Sequence, residues 1–340
     1  MSRADYPKQF LDILNTGRTL IQSTFDRFMK FIPLENIYIV TAENYKDIVK
    51  EQLPELDEAN ILSEPSRKNT APCIAYISYK LYQLNPSANL ICAPADHLIT
   101  DDAGFKKVCM EALHFTAHIK ALTTLGIKPT NPNTGYGYIQ YEQLAVSDNI
   151  FKVKTFTEKP DRELAKTFVA SGDFLWNAGI FVWQVKNIIK AFEKLLPEMH
   201  EVFDAEKANF NTPAEKEAID RIYPQCVNIS IDYGVMEKAD NVYVIPSSFG
   251  WSDLGTWASA YETLEKDYLE NAVAGNNVVI IDATRNMVHA DNQKLILLQG
   301  LEDFVVVDTP DVLMICKKDK EQEIKDYVAE IKRSKGDKYL

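Results

Sequence analysis

Residues 89–100 read NLICAPADHLIT, and this stretch decides the fold class of the chain. Its apolar run, residues 90–93, stops at Pro94 and is followed by one carboxylate, Asp96. A short apolar run of this kind is typical of a buried strand in a parallel sheet. Because open α/β sheets bind ligands beyond the carboxyl ends of their strands, Asp96 is a candidate metal ligand. An aspartate after a strand is about as often the N-cap of the next helix, so both interpretations stay open.

A second aspartate stands in a similar setting. Asp253, in FGWSDLGTW, follows a β-type run at residues 242–245 and lies among glycines and tryptophans. Mg²⁺ usually takes only one or two carboxylates from a protein and keeps its other positions for water and phosphate oxygens. Asp96 and Asp253 together therefore suggest a hard cation shared with a phosphate, with helix capping as the alternative for each residue.

Around this stretch the chain alternates between helical and strand periodicity, from residue 19 to about residue 317. The alternation predicts an α/β fold, in which a mostly parallel mixed sheet is covered by helices. The predicted helices include residues 45–53, 69–84, 101–120 and 185–196. The predicted strands include residues 37–40, 136–141, 151–156 and 178–183. The strands at 136–141 and 151–156 are expected to pair as an antiparallel arm.

The pattern changes after residue 268. Short β-rich runs separated by turn residues follow, and a charged helix is predicted at residues 320–332. We therefore predict two domains, an α/β domain over residues 1–268 and a small β-rich domain with a terminal helix over residues 269–340.

The composition argues against nucleic acid and membrane as main partners. The net charge of −12 disfavours a nucleic-acid backbone. No apolar run approaches the length of a membrane span, and the N-terminal residues have no signal-peptide core. The five cysteines are scattered and include no CxxC pair, which is typical of reduced thiols. We therefore expect a cytoplasmic protein that binds a small phosphorylated ligand through a few local cations.

Two segments of the first seventy residues carry candidate phosphate and base contacts. Lys8 follows Pro7, and its ammonium could reach a phosphate as a mobile point charge; a solvated surface lysine is the alternative. In SEPSRKNTAP, Glu64 ends a predicted strand, and Asn69 or Thr70 would cap the next helix. This arrangement leaves free backbone N–H groups and a carboxylate suited to the edge of a base, although capping alone would explain Asn69.

Three further segments are suited to a sugar phosphate. TGYGYI places Gly135 and Gly137 where a backbone must come close to another group, although such glycines more often serve a turn. Glu158 and Lys159 end a strand, where they could accept hydrogen bonds from hydroxyls and neutralise a phosphate. Asn177 precedes a buried strand and could also bind hydroxyls. An exposed ion pair and a turn asparagine are the alternatives.

Taken in order, eight motifs closely resemble those of the mannose 1-phosphate guanylyltransferases, also called GDP-mannose pyrophosphorylases. They are PKQF, EPSRKNTAP, APADH, TGYGYI, EKP, WNAGIF, SIDYGVMEK and WSDLG. The resemblance implies a Rossmann-like nucleotidyltransferase domain followed by a short left-handed β-helical segment. It also implies the reaction, in which mannose 1-phosphate attacks the α-phosphate of GTP, with Mg²⁺, to give GDP-mannose and pyrophosphate. It leaves a homodimer open.

The resemblance further implies roles for the candidate residues. Asp96 and Asp253 would hold Mg²⁺, Lys8 would contact the nucleotide phosphates, and Lys159 would take the sugar phosphate. The residues around guanine would be Glu64, Pro65, Asn69, Thr70 and Ala71. The contacts to mannose would come from Glu158, Asn177, Asp232 and the backbone at Gly135. Asp232 has a structural alternative as the N-cap of a helix at residues 233–238.

Two other functions remain open from the sequence. A metal-dependent glycosyltransferase also joins a Rossmann-like sheet to a cation and a nucleotide sugar, but no D-x-D motif is present. A non-catalytic paralogue that binds a nucleotide sugar is the other alternative. No local signature of a Ser/His/Asp or Cys/His nucleophile occurs, as expected for a transfer that depends on positioning and charge neutralisation.

The front of the sequence departs from the family pattern. Family members begin with a buried strand and a glycine-rich loop, GGxGxRxWPxSR, whereas this sequence starts at Met1-Ser2-Arg3, inside that motif. We therefore expect a reading frame that extends upstream, and little activity from the 340-residue form. Because the first strand of a Rossmann-type sheet is central, the strands at residues 37–40 and 90–93 are expected to face a gap.

Overall fold

The structure, a computed structural model, describes residues 6–290 and 293–336, so the expectations about Met1-Ser2-Arg3 lie outside the described residues. Contacts divide the chain into two compact units. The first unit consists of Met1–Arg27, Ala95–Leu98 and Ser252–Leu340, and the second of Phe28–Pro94 and Ile99–Trp251.

The predicted strands and helices occur in the predicted order, but the strand Leu122–Ile127 and the helices Arg162–Ser171 and Trp257–Thr263 were not predicted. The strands are β1 (Ile39–Ala42), β2 (Ile61–Glu64), β3 (Asn89–Cys92), β4 (Leu98–Ile99), β5 (Leu122–Ile127), β6 (Tyr138–Ser147), β7 (Ile150–Thr157), β8 (Phe174–Gln184), β9 (Val242–Ser247), β10 (Trp251–Ser252), β11 (Ala272–Ala274), β12 (Val278–Ile281), β13 (Met287–His289), β14 (Ile296–Gln299), β15 (Phe304–Asp308) and β16 (Leu313–Lys317). The α-helices are α1 (Leu20–Met29), α2 (Lys46–Gln52), α3 (Thr70–Leu84), α4 (Asp102–His118), α5 (Arg162–Ser171), α6 (Val185–Leu195), α7 (Pro197–Ala205), α8 (Glu215–Ile222), α9 (Trp257–Thr263) and α10 (Ile324–Lys335).

The second unit is built on a six-stranded sheet in the order β3-β8-β5-β9-β7-β6. β5 and β9 run parallel, β8 runs antiparallel to both β3 and β5, and β6 and β7 form the predicted antiparallel arm. Leu122, Trp183 and Val242 on its strands are at most 2% exposed. The α/β class and the mixed sheet are thus confirmed. Five of the six strand pairs described in this sheet are antiparallel, so the expectation of mostly parallel strands is wrong.

Strands β1 and β3 both lie at the edge of a sheet. β1 pairs in parallel with β2 in a separate two-stranded sheet, and β3 is the outermost strand of the six-stranded sheet. Within residues 6–290 and 293–336, β1 is hydrogen-bonded only to β2, and β3 only to β8. The two strands for which the sequence predicts an open edge thus have one, although β2 has an open edge as well.

Helix α3 shows how the sequence sets the elements that carry candidate site residues. Its N-cap is Asn69, whose side-chain oxygen accepts a hydrogen bond from the N–H of Thr70 at 2.9 Å. Ala71 and Ala75 are fully buried, so the helix packs its small residues into the core. The cap follows the carboxyl end of β2 by a few residues, which places the start of α3 close to Glu64 along the chain.

The first unit contains a β-helix-like coil of short parallel strands. β11, β13 and β15 pair in parallel, β12 pairs in parallel with β14, and β16 closes the four-stranded sheet as an antiparallel edge. Asn271 and Asn286 occupy the same position in successive turns, and the Asn286 amide donates to Asn271 Oδ1 and to the Leu301 carbonyl, at 3.0 and 2.9 Å. These buried amides satisfy one another across the coil. The predicted β-helix-like C-terminal domain is thus confirmed.

No helix within residues 6–290 and 293–336 is long and apolar enough to cross a bilayer.

Candidate active site

The predicted site residues fall into three groups. In the first unit, the Lys8 group contains Lys8, Asp96 and Asp253. In the second unit, the Glu158 group contains Glu158, Lys159, Asn177 and Asp232, and the Glu64 group contains Glu64, Pro65, Asn69, Thr70 and Ala71.

Lys8 joins the two predicted metal-binding acids. It begins a short 3-10 helix, Lys8–Phe10, which Phe10 fixes in the core with only 1% of its surface exposed. The Lys8 Nζ lies 3.0 Å from Asp96 Oδ2 and also donates a hydrogen bond to the backbone carbonyl of Asp253. The lysine side chain is only 14% exposed, so it is not the solvated surface lysine of the alternative interpretation.

Neither aspartate is a helix N-cap. The N-cap of α4, the helix after Asp96, is Asp101, which accepts from the N–H of Gly104. The N-cap of α9, the helix after Asp253, is Thr256. Asp253 Oδ1 instead accepts from the N–H of Gly255 at 3.0 Å, in a turn. The capping alternative is therefore wrong for both residues.

The Lys8 group offers oxygen donors for a hard cation. No group of three or more His, Cys, Asp or Glu side chains that could hold a metal occurs in the part of the chain that the structure describes. Two carboxylates are nevertheless the usual protein contribution to a Mg²⁺ site, because this ion retains water and phosphate oxygens in its other positions. Asp96 through its carboxylate and Asp253 through its backbone carbonyl both contact Lys8, and the two residue types suit such an ion.

Glu158 and Lys159 differ in their access to solvent. The Lys159 Nζ lies 3.2 Å from Glu158 Oε1, but the Glu158 side chain is 11% exposed and the Lys159 side chain is 59% exposed. The N–H of Glu158 donates to Glu237 Oε1 at 3.1 Å, which fixes the backbone after β7. The pair is therefore not a simple surface ion pair, since a nearly enclosed carboxylate stands beside an accessible ammonium.

Asn177 and Asp232 are held together by a chain of hydrogen bonds. The Asn177 amide donates to Asp232 Oδ1 at 2.9 Å, and Asn177 Oδ1 accepts from the hydroxyl of Thr124 at 2.9 Å and from the N–H of Gly179 at 3.1 Å. Asn177 lies inside β8, so its prediction as a residue before the strand is wrong. Thr124, which is fully buried, explains how a polar residue is accommodated there.

Asp232 is not the N-cap that the alternative interpretation proposed. It is the first residue of a π-helical turn, Asp232–Met236, and Ile231 occupies the cap position without a side-chain cap bond. Its carboxylate accepts from Asn177 instead. The capping alternative for Asp232 is therefore wrong, and its side chain belongs to the Glu158 group.

Burial makes both carboxylates of this group more basic. Desolvation raises the pKa of Glu158, and the neighbouring charges of Asp232 and Glu237 raise it further, against the opposing charge of Lys159. Desolvation also raises the pKa of Asp232, while the hydrogen bond from Asn177 opposes that shift. Neighbouring buried carboxylates with raised pKa values are characteristic of binding and catalytic sites.

We expect Asp232→Asn to raise the free energy of unfolding at pH 7. A carboxyl whose pKa is raised on folding stabilises the folded state at low pH, and this contribution is lost as the pH rises through the folded-state pKa. The gain from the substitution should therefore shrink as the pH falls through the raised folded-state pKa, and it should be absent below the ordinary aspartate pKa of 3.8. Urea unfolding at pH 7 and in mild acid measures both effects.

Asp240→Asn is the matched control for this prediction. A hydrogen bond from Lys194 lowers the pKa of Asp240, so its contribution is present at neutral pH and is lost as the pH falls. We expect the opposite sign, a small loss of stability at pH 7 that disappears in acid. Equal pH dependence of the two variants would contradict the account.

The glycines of TGYGYI have different surroundings. A Cβ added at Gly137 would lie 2.3 Å from Glu158 Oε2 and 3.3 Å from the Asn177 Cβ, so a larger residue there would require the Glu158 side chain to move. At Gly135 the nearest atom would be Asn133 Oδ1 at 3.1 Å, and that oxygen accepts the N–H of Gly135 at 2.7 Å. The structure thus places Gly137 in the Glu158 group, and Gly135 in an adjoining asparagine turn.

The Glu64 group lies at the carboxyl end of β2. Pro65 follows Glu64 in a bend, and the hydroxyl of Tyr223 donates to Glu64 Oε1. Burial raises the pKa of the Glu64 carboxyl, and the bond from Tyr223 lowers it. A half-buried carboxylate therefore stands at the strand end, as the sequence predicts, and its contact with a base stays a prediction.

The first backbone donors of α3 are already used. The N–H of Thr70 bonds to the Asn69 side chain, and the N–H of Ala71 donates to the Ile229 carbonyl at 3.1 Å. The hydroxyl of Thr70 also accepts from the N–H of Ile231 at 2.9 Å. The expectation of free N–H groups at Thr70 and Ala71 is therefore wrong, because the segment before Asp232 packs against them.

The sequence analysis missed three residues that complete these groups. They are Thr124, Tyr223 and Glu237. It expected a close approach at Gly137, but not that the partner is Glu158. Glu237 belongs to the quoted motif SIDYGVMEK, so a signal existed for this residue. Thr124 and Tyr223 lie outside every motif and carry no local signal.

Comparisons with known proteins agree with this geometry. Residues 1–270 match the model of the nucleotidyl transferase family. The chain belongs to that family. Residues 276–331 match a second model, the MannoseP isomerase/GMP-like beta-helix domain, in agreement with the coil of the first unit.

Individual nucleotidyl transferases narrow the assignment. Alginate biosynthesis protein AlgA of Pseudomonas putida is 36% identical over 332 residues, which cover 96% of this chain and 67% of AlgA. Mannose-1-phosphate guanylyltransferase RfbM of Salmonella typhimurium is 32% identical over 345 residues, which cover 100% of this chain and 71% of RfbM. Similarity over the whole chain places this nucleotidyl transferase among the mannose-1-phosphate guanylyltransferases, as the motifs suggested.

A solved structure shares the fold over nearly its whole length. The crystal structure described as mannose-1-phosphate geranyltransferase from Thermus thermophilus superimposes with a TM-score of 0.87 at 28% identity. The match covers 97% of this chain and 94% of that one.

Proposed function

We propose that the protein transfers GMP from GTP to mannose 1-phosphate. A phosphate oxygen of mannose 1-phosphate attacks the α-phosphorus of GTP, the bond from that phosphorus to the bridging oxygen of the β-phosphate breaks, and pyrophosphate leaves. The observation that carries the proposal is the contact of the Lys8 ammonium with Asp96 and with the backbone of Asp253. Such a transfer needs charge neutralisation and positioning more than a protein nucleophile.

Asp96 and Asp253 would hold Mg²⁺ in this proposal. When bound, the ion supplies positive charge that offsets the charge on the transferred phosphate. Lys8 would contact the nucleotide phosphates, and its partly enclosed ammonium is already oriented by Asp96. The lysine and the acids thus contribute opposite charges at one place in the first unit.

The Glu158 group would bind the sugar phosphate. The carboxylates of Glu158 and Asp232 can accept hydrogen bonds from sugar hydroxyls, which would offset the desolvation that raises their pKa values. Asn177 would hold Asp232 in place through its amide. The exposed ammonium of Lys159 would take the phosphate. The backbone at Gly135 would lie alongside the sugar.

The Glu64 group would surround guanine. Guanine presents N1–H and the 2-amino group side by side on one edge, and a carboxylate can accept from both. Adenine presents an acceptor at N1, which repels a carboxylate. Glu64 would therefore select guanine, with Pro65, Asn69, Thr70 and Ala71 forming the wall around the base.

We expect Lys159→Ala to weaken the binding of mannose 1-phosphate far more than the binding of GTP. A partly buried hydrogen bond from a charged group to phosphate contributes about 1.5 to 3 kcal/mol, so the KM for mannose 1-phosphate should rise by roughly ten- to a hundredfold. Steady-state kinetics with each substrate varied in turn measures the split. Equal losses for both substrates would assign Lys159 another role.

Lys194→Ala is the matched control for Lys159. Lys194 forms an ion pair of the same length, 3.2 Å, with Asp240, and its side chain is 65% exposed. Solvent-exposed ion pairs of this kind contribute little to the stability of a protein. We therefore expect unchanged KM values for both substrates in Lys194→Ala.

The proposal is tested by measuring pyrophosphate release from GTP with and without mannose 1-phosphate. Release that requires mannose 1-phosphate and a divalent cation supports the transferase. Binding of GDP-mannose without any release would favour the non-catalytic paralogue. Transfer of mannose from GDP-mannose to an acceptor would favour the glycosyltransferase. We expect the protein in the cytoplasm. Whether it forms a homodimer stays an open question.

A further inference from the structure

Tyr223 has a contact that the proposed roles leave unexplained. It lies in a short 3-10 helix, Tyr223–Gln225, and none of its surface is exposed. Its hydroxyl donates to Glu64 Oε1, across 159 residues of sequence. A core tyrosine that points its only side-chain polar atom at a candidate base-reading carboxylate has a specific orientation to maintain.

The direction of this hydrogen bond is fixed by chemistry. Burial, together with the charge of Glu64, raises the pKa of the Tyr223 phenol, so the phenol keeps its proton and acts as the donor. Glu64 must then accept, which its ionised form does best. The carboxylate has room for further hydrogen bonds, because its two oxygens together offer about four acceptor positions.

Glu64 has no cation to hold it. Within residues 6–290 and 293–336 its carboxylate forms no ion pair, and the bond from Tyr223 is the only side-chain interaction that favours its charged form. The rotation of the carboxylate and its ionisation therefore both depend on the phenol. A carboxylate that turned, or gained a proton, could no longer accept two adjacent donors from one base edge.

We propose that Tyr223 is a positioning residue that sets the preference for guanine over adenine, by holding Glu64 ionised and turned to accept N1–H and the 2-amino group. The inference rests on the proposed function, in which Glu64 faces guanine. Without the phenol, Glu64 can rotate or take up a proton, and a protonated carboxyl can donate to N1 of adenine. Loss of the hydroxyl should thus weaken the binding of GTP and strengthen the binding of ATP at the same time.

The fold supplies a control with the same local chemistry. Tyr76 is a second buried tyrosine of the same unit, and its hydroxyl donates to the buried carboxylate of Glu215 at 2.8 Å. Lys80 and the N–H of Asn211 also bond to Glu215, so that carboxylate stays held when the phenol is removed. Tyr76→Phe should cost stability as Tyr223→Phe does, without changing the choice of nucleotide.

The experiment measures the kcat/KM for GTP, ITP and ATP at saturating mannose 1-phosphate, together with equilibrium binding of each nucleotide. The variants are Tyr223→Phe, Glu64→Gln, the double variant and Tyr76→Phe, all in the full chain. We expect Tyr223→Phe to lower the kcat/KM for GTP by about tenfold, as loss of a hydrogen bond to a charged group predicts. The ratio of the kcat/KM for GTP to that for ATP should fall by more than about tenfold, because the kcat/KM for ATP should rise.

The double variant shows whether Tyr223 acts through Glu64. If it does, Tyr223→Phe has no further effect on the GTP-to-ATP ratio once Glu64→Gln is present. ITP keeps N1–H but lacks the 2-amino group. In Tyr223→Phe and in Glu64→Gln, the kcat/KM for ITP should therefore fall less than the kcat/KM for GTP. Should Tyr223→Phe be poorly folded, Glu64→Gln alone must still lose the guanine preference.

The outcomes separate this inference from the proposed function. A wild-type chain that prefers GTP, combined with an unchanged ratio in Tyr223→Phe, would overturn the inference and leave the proposed function standing. An equal change of ratio in Tyr76→Phe would also overturn it. A wild-type chain without any GTP preference, or without release dependent on mannose 1-phosphate, would overturn the proposed function and the inference with it.

Discussion

Asp96→Asn and Asp253→Asn, made in a chain with an intact front end, are each expected to abolish most turnover that depends on mannose 1-phosphate, while the protein stays folded. Asparagine keeps the shape of the side chain but removes its charge and one metal-binding oxygen. Losing a metal ligand removes transition-state stabilisation of several kcal/mol, so the rate should fall by roughly a hundredfold or more. Turnover at increasing Mg²⁺ concentrations, with circular dichroism of each variant, measures both parts of the prediction.

Asp101→Asn is the control for these two substitutions. Asp101 also follows the Asp96 segment in sequence, but its carboxylate caps α4 by accepting from the N–H of Gly104 at 2.9 Å. Asparagine is as good an N-cap as aspartate, so activity and stability should hardly change. Near-normal Mg²⁺-dependent rates in Asp96→Asn or Asp253→Asn would show that the acid concerned does not bind the metal.

Gly137→Ala is expected to reduce the kcat/KM for mannose 1-phosphate on the order of a hundredfold. The new methyl would lie 2.3 Å from Glu158 Oε2, and the Asn177 Cβ closes the other side at 3.3 Å, so the carboxylate must move. A displacement of about 1 Å in a positioning group can cost about a hundredfold in rate. The KM for mannose 1-phosphate should carry the loss, and the KM for GTP should stay within about twofold.

Gly104→Ala provides a matched clash elsewhere in the second unit. Its methyl would also lie 2.3 Å from a carboxylate oxygen, Asp101 Oδ2, at the start of α4. We expect a change in stability and none in either KM. If Gly137→Ala and Gly104→Ala behave alike in the kinetics, the enclosure of Glu158 by Gly137 has no role in binding.

The elements that carry the site were predictable because their signals are local. Asn69 and Asp101 begin α3 and α4 as caps, and the apolar runs of β3 and β9 lie within two residues of their predicted positions. The start of β8 was missed. Its first four residues end in the polar Asn177, which resembles a turn residue until the buried hydroxyl of Thr124 is brought to it from 53 residues away.

Contacts between distant residues account for most of what the sequence did not reveal. Tyr223 fits an apolar helical pattern and is indeed a core residue, so nothing local distinguishes it from a tyrosine without a polar role. One overlooked feature was visible in the sequence: Asn271 and Asn286 precede similar short β-runs, and their amides form the ladder of the coil. The roles of the site residues stay predictions.

The central claim is that this chain joins mannose 1-phosphate to the α-phosphate of GTP. The most direct test is ³¹P NMR of the reaction with mannose 1-phosphate that carries ¹⁸O in the three terminal phosphate oxygens. We expect GDP-mannose that retains all the label, one labelled oxygen bridging its two phosphorus atoms, and pyrophosphate without label. Labelled pyrophosphate, or GDP-mannose without the labelled bridging oxygen, would contradict the claim.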